Sequence, residues 1–279
     1  MKAIIIIITA LFSAALFSSE LPRVSYDVQS NAVLVDSERV ESREVSVPDA
    51  SFIKVHFSRF KIPAGVVVRV RNPSGTEVYD YTKSDKDAHT LTPGDDGINS
   101  FAAMSITGDS AVVEVIGKTV KDSRLVMDYY AVGLPNEAIN DLYQSDGFPI
   151  ESTCGEIDNK VPTPCIADEF PTEHERMRPV ARIINGTGSL CTAWRVGPDN
   201  RMFTNHHCNE TQEHIAAAEV WFNYEYTNCS GTERVSSEQI VKVSGNTMLE
   251  ANHVLDFALF TVNDFESIER FGYFGLDPV

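Results

Sequence analysis

Short runs in which apolar and polar residues alternate fill the first half of the chain. In the clearest run, Ile53, Val55 and Phe57 are separated by polar residues, and the stretch 66–71 shows the same alternation. A period of two predicts a strand with one buried face. Because glycine- and proline-rich turns separate about eight such runs, residues 20–133 are predicted to form an antiparallel β-sandwich.

A second set of strand-like runs begins at Val180. Six short strands are predicted there, at residues 180–184, 190–196, 201–204, 220–226, 239–243 and 255–262. Together they predict a small barrel over residues 180–279. Only residues 136–143 show a modest helical pattern, so the whole chain is expected to be all-β, with the β-sandwich preceding the barrel.

The segment between the two sets, residues 134–179, has a different composition. It contains four prolines within residues 149–171, together with Cys154 and Cys165 and a series of acidic residues. Proline at that density does not fit central strands. We therefore expect a linker, or an arm that wraps the barrel and is held there by disulfides.

Residues 1–19 have the pattern of a secretory signal peptide. Lys2 supplies a positive charge, an apolar run of about 15 residues follows, and small polar residues end it. A helix that spans a bilayer needs about 20 apolar residues, and no second run of comparable length occurs, so no stable membrane anchor is expected. The sequence predicts a secreted, extracellular protein.

The formal net charge of −17 limits the partners that the chain is expected to bind. Nucleic acids and anionic membranes are bound through basic surfaces, so no nucleic acid is expected as a partner. A hydrophobic content of 43% is enough for a sizeable core. The acidity is typical of a secreted protein that is kept apart from its copies by charge repulsion.

All five cysteines lie in the second half of the chain, where secretion favours their oxidation. Because the number is odd, one cysteine lacks a partner within the chain. The same half contains three glycosylation sequons, at Asn185, Asn209 and Asn228. In a eukaryotic secretory pathway these sequons would be surface glycosylation sites.

Two short segments carry the candidate chemistry. Residues 202–208 read Met-Phe-Thr-Asn-His-His-Cys, and residues 255–260 read Leu-Asp-Phe-Ala-Leu-Phe. An imidazole can take a proton from a hydroxyl when a carboxylate fixes its tautomer and stabilises its cation. His207 and Asp256 are the residue types for such a pair. Apolar residues surround Asp256 in the sequence, so its carboxylate is expected to be buried and paired.

These segments resemble chymotrypsin-fold serine peptidases, and within them the lysyl endopeptidase type. The likeness rests on Thr-x-x-His-Cys, on Cys191 in a Cys-Thr-Ala strand 17 residues before Cys208, and on Asp-Phe-Ala-Leu downstream. An aromatic strand that ends in Asn-Tyr and Cys229, and the sequence Phe-Gly-Tyr-Phe-Gly near the C-terminus, add to it. The resemblance covers about residues 154–279 and implies the N-terminal barrel of a trypsin-like peptidase.

The resemblance also implies roles for individual residues. His207 would be the general base, Asp256 its orienting partner, and His206 a neighbour without a catalytic role. The implied disulfides are Cys191–Cys208 and Cys165–Cys229, with Cys154 left over. Substrates would be proteins or peptides, and no cofactor or metal is expected.

Two other interpretations of the histidines stay open. His206, His207 and Cys208, with His253 or His214, have the donor types of a zinc site. Alternatively, His207 is an ordinary core or surface histidine. Neither alternative explains the order of the surrounding segments.

One further segment resembles the site at which the precursor of a trypsin-like peptidase is activated by cleavage. Arg182 precedes Ile183-Ile-Asn-Gly, which is similar to the N-terminus released when a trypsin precursor is cleaved. The asparagine departs from that pattern, and the cysteine-containing arm lies upstream. We expect a plain first strand here.

The nucleophile of this family follows the aspartate in the chain, and none is expected here. Gly-Asp-Ser-Gly-Gly does not occur after Asp256, and Gly108-Asp-Ser110 upstream fits a turn between strands. We expect part of a secreted trypsin-like endopeptidase that is inactive alone and that a missing C-terminal barrel or a partner chain completes. The β-sandwich would be a pro-region or a binding module. The alternative is a secreted, non-catalytic pseudoprotease that acts as a binding or decoy protein.

Overall fold

A computed structural model of the chain describes residues 21–86, 88–144 and 161–275. Across these residues the fold is all-β, as the alternating pattern predicts. The strands of the first half are β1 (Ser25–Asp36), β2 (Arg39–Val40), β3 (Arg43–Ser46), β4 (Phe52–Lys61), β5 (Val67–Arg71), β6 (Val78–Tyr81), β7 (His89–Thr90), β8 (Phe101–Ala103), β9 (Ile106–Thr107), β10 (Ser110–Ile116) and β11 (Arg124–Gly133).

Two antiparallel sheets of this half pack on a single core. One sheet has the order β2-β1-β11-β4-β8-β7, with β9 also paired to β4, and the other has the order β3-β10-β5-β6. Val55 and Phe57 of β4 and Val68 and Val70 of β5 are fully buried between the sheets. Alternation along each strand places these residues on the inner face.

The second half contains the strands β12 (Val180–Ile184), β13 (Leu190–Arg195), β14 (Met202–Thr204), β15 (Glu219–Phe222), β16 (Val241–Asn252) and β17 (Phe257–Val262). They form a closed barrel in the order β12-β13-β14-β17-β16-β15, in which β15 also pairs with β12. A separate core fills its interior and includes Ile183, Val220 and Phe260. The barrel expected from the second set of runs is therefore present.

Two barrel strands differ in length from the prediction. The strand expected over 220–226 ends at Phe222, because Asn223 has a left-handed backbone with φ of 58°. The strand expected to end at residue 243 continues as β16, since it pairs with β17 up to Asn252. The resulting long hairpin carries Asp256 at its turn.

The described residues also contain short helices, α1 (Asn136–Gln144), α2 (Pro171–Arg176) and α3 (Gln212–Ala217), and 3₁₀ turns at Thr163–Ile166, Ser237–Gln239 and Phe265–Phe271. The first of the helices occupies the stretch that has a helical pattern. The other two were not predicted, because six residues are too few for a periodic signal. None of the described helices has the length and apolar character that crossing a bilayer requires.

The β-sandwich packs against one side of the barrel through buried charged residues. Lys54 Nζ lies 2.5 Å from Glu219 Oε1, and Lys242 Nζ lies 2.5 Å from Glu77 Oε1. Beside these pairs, the ring of Trp221 meets Phe52 edge to face, with 5.7 Å between ring centroids. Each ion pair joins a residue of the first half to one of the barrel, so the two halves share one interface.

Candidate active site

The candidate base, His207, lies in the turn that follows β14. Thr204, the last residue of β14, donates its hydroxyl to the carbonyl of Thr192 in β13 at 2.8 Å. Directly after His207, the disulfide Cys191–Cys208 joins the turn to β13, with 6.1 Å between the Cα atoms. The backbone of His207 is therefore fixed to the barrel on both sides.

Asp256 lies in the turn of the β16–β17 hairpin. The side-chain oxygen of Asn252 accepts hydrogen bonds from the backbone N–H groups of Val254 and Leu255, at 3.0 and 2.9 Å. Asp256 itself has a left-handed backbone with φ of 50°, which aspartate adopts more readily than most residues. This tight turn brings the carboxylate to the histidine.

The two candidate side chains are in direct contact. His207 Nδ1 lies 2.9 and 2.8 Å from the two carboxylate oxygens of Asp256, and the backbone N–H of His207 donates to Oδ1 at 3.1 Å. An ionised carboxylate only accepts, so a neutral His207 carries its proton on Nδ1. Nε2 is then the basic nitrogen, and no described residue hydrogen-bonds to it.

Hydrogen bonds lower the pKa of the Asp256 carboxyl. Burial acts to raise the pKa of Asp256, but hydrogen bonds from the His207 backbone, the Asn205 amide and the His207 ring outweigh it and hold the pKa below its ordinary value of 3.8. A carboxylate that is charged at neutral pH can stabilise an imidazolium beside it. The electrostatics of the pair therefore suit general-base chemistry.

The expectation that Asp256 is buried was wrong. Its side chain is 42% exposed, and that of His207 is 51% exposed. Val254 and Leu255 are also exposed, because they lie in a projecting turn and not in a strand that faces the core. The pair and its apolar neighbours therefore form an open surface.

Two asparagines support the pair and were not predicted. Asn205 donates its side-chain N–H to Asp256 Oδ2 at 3.0 Å, and Asn185 donates its side-chain N–H to the carbonyl of Cys208 at 3.2 Å. The place of Asn205 directly before the two histidines was an available signal. Nothing in the sequence relates Asn185 to the histidine turn, since the contact depends on how the β12–β13 turn packs.

The zinc alternative can be compared with the donor positions. The ligand atoms of Cys191, His207 and Cys208 lie within 4.8 Å of one another, but the two sulfurs form a disulfide and are not thiolates. His206 lies beside His253, with 6.2 Å between ring centroids. Across the described ranges, neither His253 nor His214 joins that group of donors.

The second disulfide joins Cys165 to Cys229, with 4.7 Å between the Cα atoms. It connects the 3₁₀ turn of the arm to the loop after β15. Both disulfides are the pairs that the resemblance implies. Cys154 lies outside the described residues, as does the predicted signal peptide.

The three sequons differ in burial. Asn185 is 9% exposed and Asn209 is fully buried, whereas Asn228 is partly exposed in a surface loop. A glycan on Asn185 would replace a proton of the amide that holds Cys208, and one on Asn209 would have no space. Asn228 is the sequon whose surroundings can accommodate a glycan.

The remaining sequence candidates lie away from the pair. Ser110 begins β10 in the β-sandwich, and its hydroxyl lies 2.9 Å from that of Ser46. Ile183 is fully buried in the middle of β12 and pairs with Cys191. The segment at Ile183 is the plain first strand that was expected.

Comparison with known proteins adds to this geometry. Residues 163–277 match the family described as lysyl endopeptidase, C-terminal domain. A curated relative, Secreted RxLR effector protein 73 of Plasmopara viticola, is 26% identical over 222 residues, which cover 75% of this chain and 52% of the relative. The chain thus spans about half the length of that relative. The barrel and its arm are similar to a domain of a peptidase family.

Proposed function

We propose that the barrel supplies the base and the orienting acid of a secreted, trypsin-like serine endopeptidase. The observation that carries this proposal is the hydrogen bonding of Asp256 to both the ring and the backbone of His207. The match of residues 163–277 to a lysyl endopeptidase domain supports it. In this function, His207 is the general base and Asp256 holds its tautomer.

The chemistry follows from the two ring nitrogens. Asp256 accepts a hydrogen bond from Nδ1–H, so Nε2 takes the proton of an attacking serine hydroxyl and later gives it to the leaving amine. Asp256 lowers the free energy of the imidazolium formed between these steps. Asn205 donates a hydrogen bond to Oδ2 and holds the carboxylate in place.

The nucleophile and the oxyanion hole are proposed to come from a second body, either a further barrel or a partner chain. Among the described residues, no serine hydroxyl hydrogen-bonds to His207. The exposure of the pair, and of Val254 and Leu255 beside it, supports a surface that another body covers. Protein and peptide substrates would bind between the two bodies.

A second candidate function is a secreted protein without catalysis that binds or diverts a target. The curated relative is named a secreted effector, which favours this candidate. The two disulfides are consistent with secretion in either case. A measurement of catalytic activity distinguishes these two candidate functions.

The test begins with the transcript downstream of Val279. An in-frame Gly-Asp-Ser-Gly-Gly segment would favour the peptidase, and the complete protein should then hydrolyse lysyl, arginyl or aromatic esters. His207→Ala should lower kcat about 10⁴-fold or more. Activity that is unchanged in His207→Ala would contradict the assignment, and a stop codon after Val279 would favour the non-catalytic function.

The chain of residues 20–279 by itself is expected to hydrolyse none of these esters, because its nucleophile lies elsewhere. Ester turnover by this chain that disappears in His207→Ala would place a nucleophile within it. That result would contradict the proposal that a second body supplies the nucleophile, but it would leave the peptidase function in place.

A further inference from the structure

The turn that joins β12 to β13, residues 185–189, is held by segment 23–25 at the start of the β-sandwich. Val24 donates its backbone N–H to the carbonyl of Gly188 at 2.7 Å, and the Nε of Arg23 donates to another carbonyl of the turn at 2.8 Å. Two carbonyls of this barrel turn are therefore satisfied by the first half of the chain.

The contact between the turn and segment 23–25 is buried and close. Val24 is fully buried in a core cluster that also contains Ile184 and Trp221 of the barrel. Gly188 has a left-handed backbone with φ of 77°, and a Cβ at this position would lie 2.1 Å from Ser25 Oγ. Because no side chain fits between the turn and the segment, displacement of one requires movement of the other.

Asn185 connects the same turn to the turn that contains the histidines. Its Oδ1 accepts hydrogen bonds from the backbone N–H groups of Thr187 and Ser189, at 3.2 and 2.9 Å, and these bonds fix the β12–β13 turn. Its Nδ2 donates to the carbonyl of Cys208 at 3.2 Å. One buried side chain therefore joins the turn that the β-sandwich holds to the residue directly after His207.

The carbonyl of Cys208 belongs to the turn that orients the candidate base. Within that turn, the backbone N–H of Cys208 donates to the carbonyl of Asn205 at 3.2 Å. The backbone N–H of His207 donates out of the turn to Asp256 Oδ1 at 3.1 Å. Both hydrogen bonds depend on the backbone path of this turn, and the amide of Asn185 holds one end of that path.

We propose that the β-sandwich positions the candidate base and that Asn185 is the positioning residue between them. A catalytic side chain works only when neighbouring residues hold it close to its productive geometry, and here the supporting contacts begin at segment 23–25. In this role the β-sandwich stays with the barrel in the active protein and is not a pro-region that maturation removes. The role rests on the proposed function, because it requires that His207 act as a base.

Gly188→Ala in the full chain tests the contact with the β-sandwich. Its Cβ displaces segment 23–25, so hydrogen exchange of the His207 backbone N–H should speed up about fivefold, the factor that corresponds to one hydrogen bond of typical strength. Burial acts to raise the pKa of Asp256, and the His207 backbone N–H is the first of the contacts that lower it, so this pKa should rise toward 3.8. Amide exchange and a ¹³C titration of the aspartate carboxyls, both by NMR, measure the two changes.

Gly197→Ala is the matched control, since Gly197 also has a positive φ, of 65°, but open space at its Cβ position. It should leave both quantities unchanged. Addition of Ser25→Gly to Gly188→Ala removes the clashing oxygen and should restore both quantities toward wild type. The proposal is overturned if Gly188→Ala lowers stability but leaves the pKa of Asp256 at its wild-type value, or if Ser25→Gly restores neither quantity.

A second variant, Asn185→Asp, tests the other end of the connection without a steric change. The aspartate keeps the oxygen that closes the β12–β13 turn, but an ionised carboxylate cannot donate to the carbonyl of Cys208. Exchange of the His207 N–H should therefore speed up by a similar factor. Asn228→Asp is the control, because the side-chain oxygen of Asn228 closes a surface loop by the same type of bond.

Equal exchange at the His207 N–H in wild type and Asn185→Asp would also overturn the proposal. Both measurements are made without substrate. A failure of this coupling is therefore distinct from a failure of the peptidase function, which only the activity measurements address.

Discussion

At the scale of single residues, the pKa of the Asp256 carboxyl depends on a few hydrogen-bond donors. Asn205 is the donor that can be removed without changing the candidate base. In Asn205→Ala, the pKa of Asp256 should rise toward its ordinary value of 3.8, because a hydrogen bond to the charged form is lost. A ¹³C NMR titration of the aspartate carboxyls measures the change.

Asn140→Ala removes an amide of the same type away from Asp256 and is the control. A pKa of Asp256 that is the same in wild type and Asn205→Ala would mean that the Asn205 contact has no electrostatic effect. The direction of the Asp256 pKa shift also sets how stability depends on pH. Because the pKa of Asp256 is lowered in the folded state, its carboxylate stabilises the fold above the unfolded-state pKa, and this stabilisation is lost as the pH falls through the folded-state pKa.

The pKa of His56 in β4 is raised, so its contribution to stability should change with pH in the direction opposite to that of Asp256. Its Nδ1 lies 2.6 Å from Asp128 Oδ1 and its Nε2 lies 3.0 Å from Asp95 Oδ1. Burial acts to lower the pKa of His56, but hydrogen bonds and charges of Asp95 and Asp128 raise it above 6.5 overall. Protonated His56 therefore stabilises the fold below pH 6.5, and this stabilisation is lost as the pH rises through the folded pKa.

Urea unfolding of His56→Gln measures this effect. At pH 5.5 the variant should lose about 3 kcal/mol of unfolding free energy, because Asp95 and Asp128 lose their cation. The loss should be smaller at pH 9. A loss in His56→Gln that grows with pH would contradict the assignment.

The sequons give a prediction that mass spectrometry can check. In a eukaryotic secretory host, glycan is expected on Asn228, because it is partly exposed, and not on the buried Asn209. Asn228→Gln should therefore remove the glycan mass, whereas Asn209→Gln should leave it unchanged. Glycan retained in Asn228→Gln would mean that Asn185 or Asn209 is glycosylated before the chain folds and buries it, which would contradict the prediction.

At the scale of elements, α3 and β16 meet at a glycine. A Cβ on Gly245 would lie 2.1 Å from the carbonyl oxygen of Ile215, which belongs to the helix backbone. Gly245→Ala should therefore lower the unfolding free energy by about 2–3 kcal/mol, because the helix must move off the strand. Chemical denaturation measures the change.

Gly197→Ala is the control for Gly245→Ala. Gly197 has φ of 65° but open space around its Cβ position, so alanine should cost about 1 kcal/mol from backbone strain alone. Equal losses in the two variants would argue against close packing of α3 on β16.

At the scale of the whole molecule, buried ions join the β-sandwich to the barrel. The side chain of Glu219 is 2% exposed and accepts hydrogen bonds from Lys54, Ser105 and Trp221. Burial acts to raise the pKa of Glu219, but the charges of Lys54 and Lys242 lower it overall. Its contribution to stability is present above the unfolded pKa and is lost as the pH falls through the folded pKa.

Glu219→Gln should cost about 3 kcal/mol at neutral pH, because Lys54 loses its counter-ion and Lys242, which stays paired with Glu77, loses a neighbouring negative charge. Both halves should still unfold in one transition, since they share this interface. Glu41→Gln removes the exposed partner of Arg39 and should change stability by less than about 0.5 kcal/mol. Two separate transitions, with only one of them shifted in Glu219→Gln, would contradict a shared interface.

Much of the fold could be predicted from local patterns in the sequence. Alternation at Ile53–Phe57 identifies a strand because side chains of a strand point to opposite faces. The order of the cysteines, His207 and Asp256 pointed to a pair that the structure brings into contact. Helix α3 and the full length of β16 were not predicted, because a six-residue helix has no period and a strand end depends on its partner.

The sequence by itself determined the all-β class and the residue types of the candidate site, because both are encoded within short segments. Only the tertiary structure decided which surfaces these residues face. Asp256 is exposed because its hairpin turn projects from the barrel, and Asn185 reaches Cys208 because the β12–β13 turn packs on the histidine turn. Arg182 and Arg234 likewise both stack on the ring of Tyr224, although they are distant in sequence, because β12 pairs with β15.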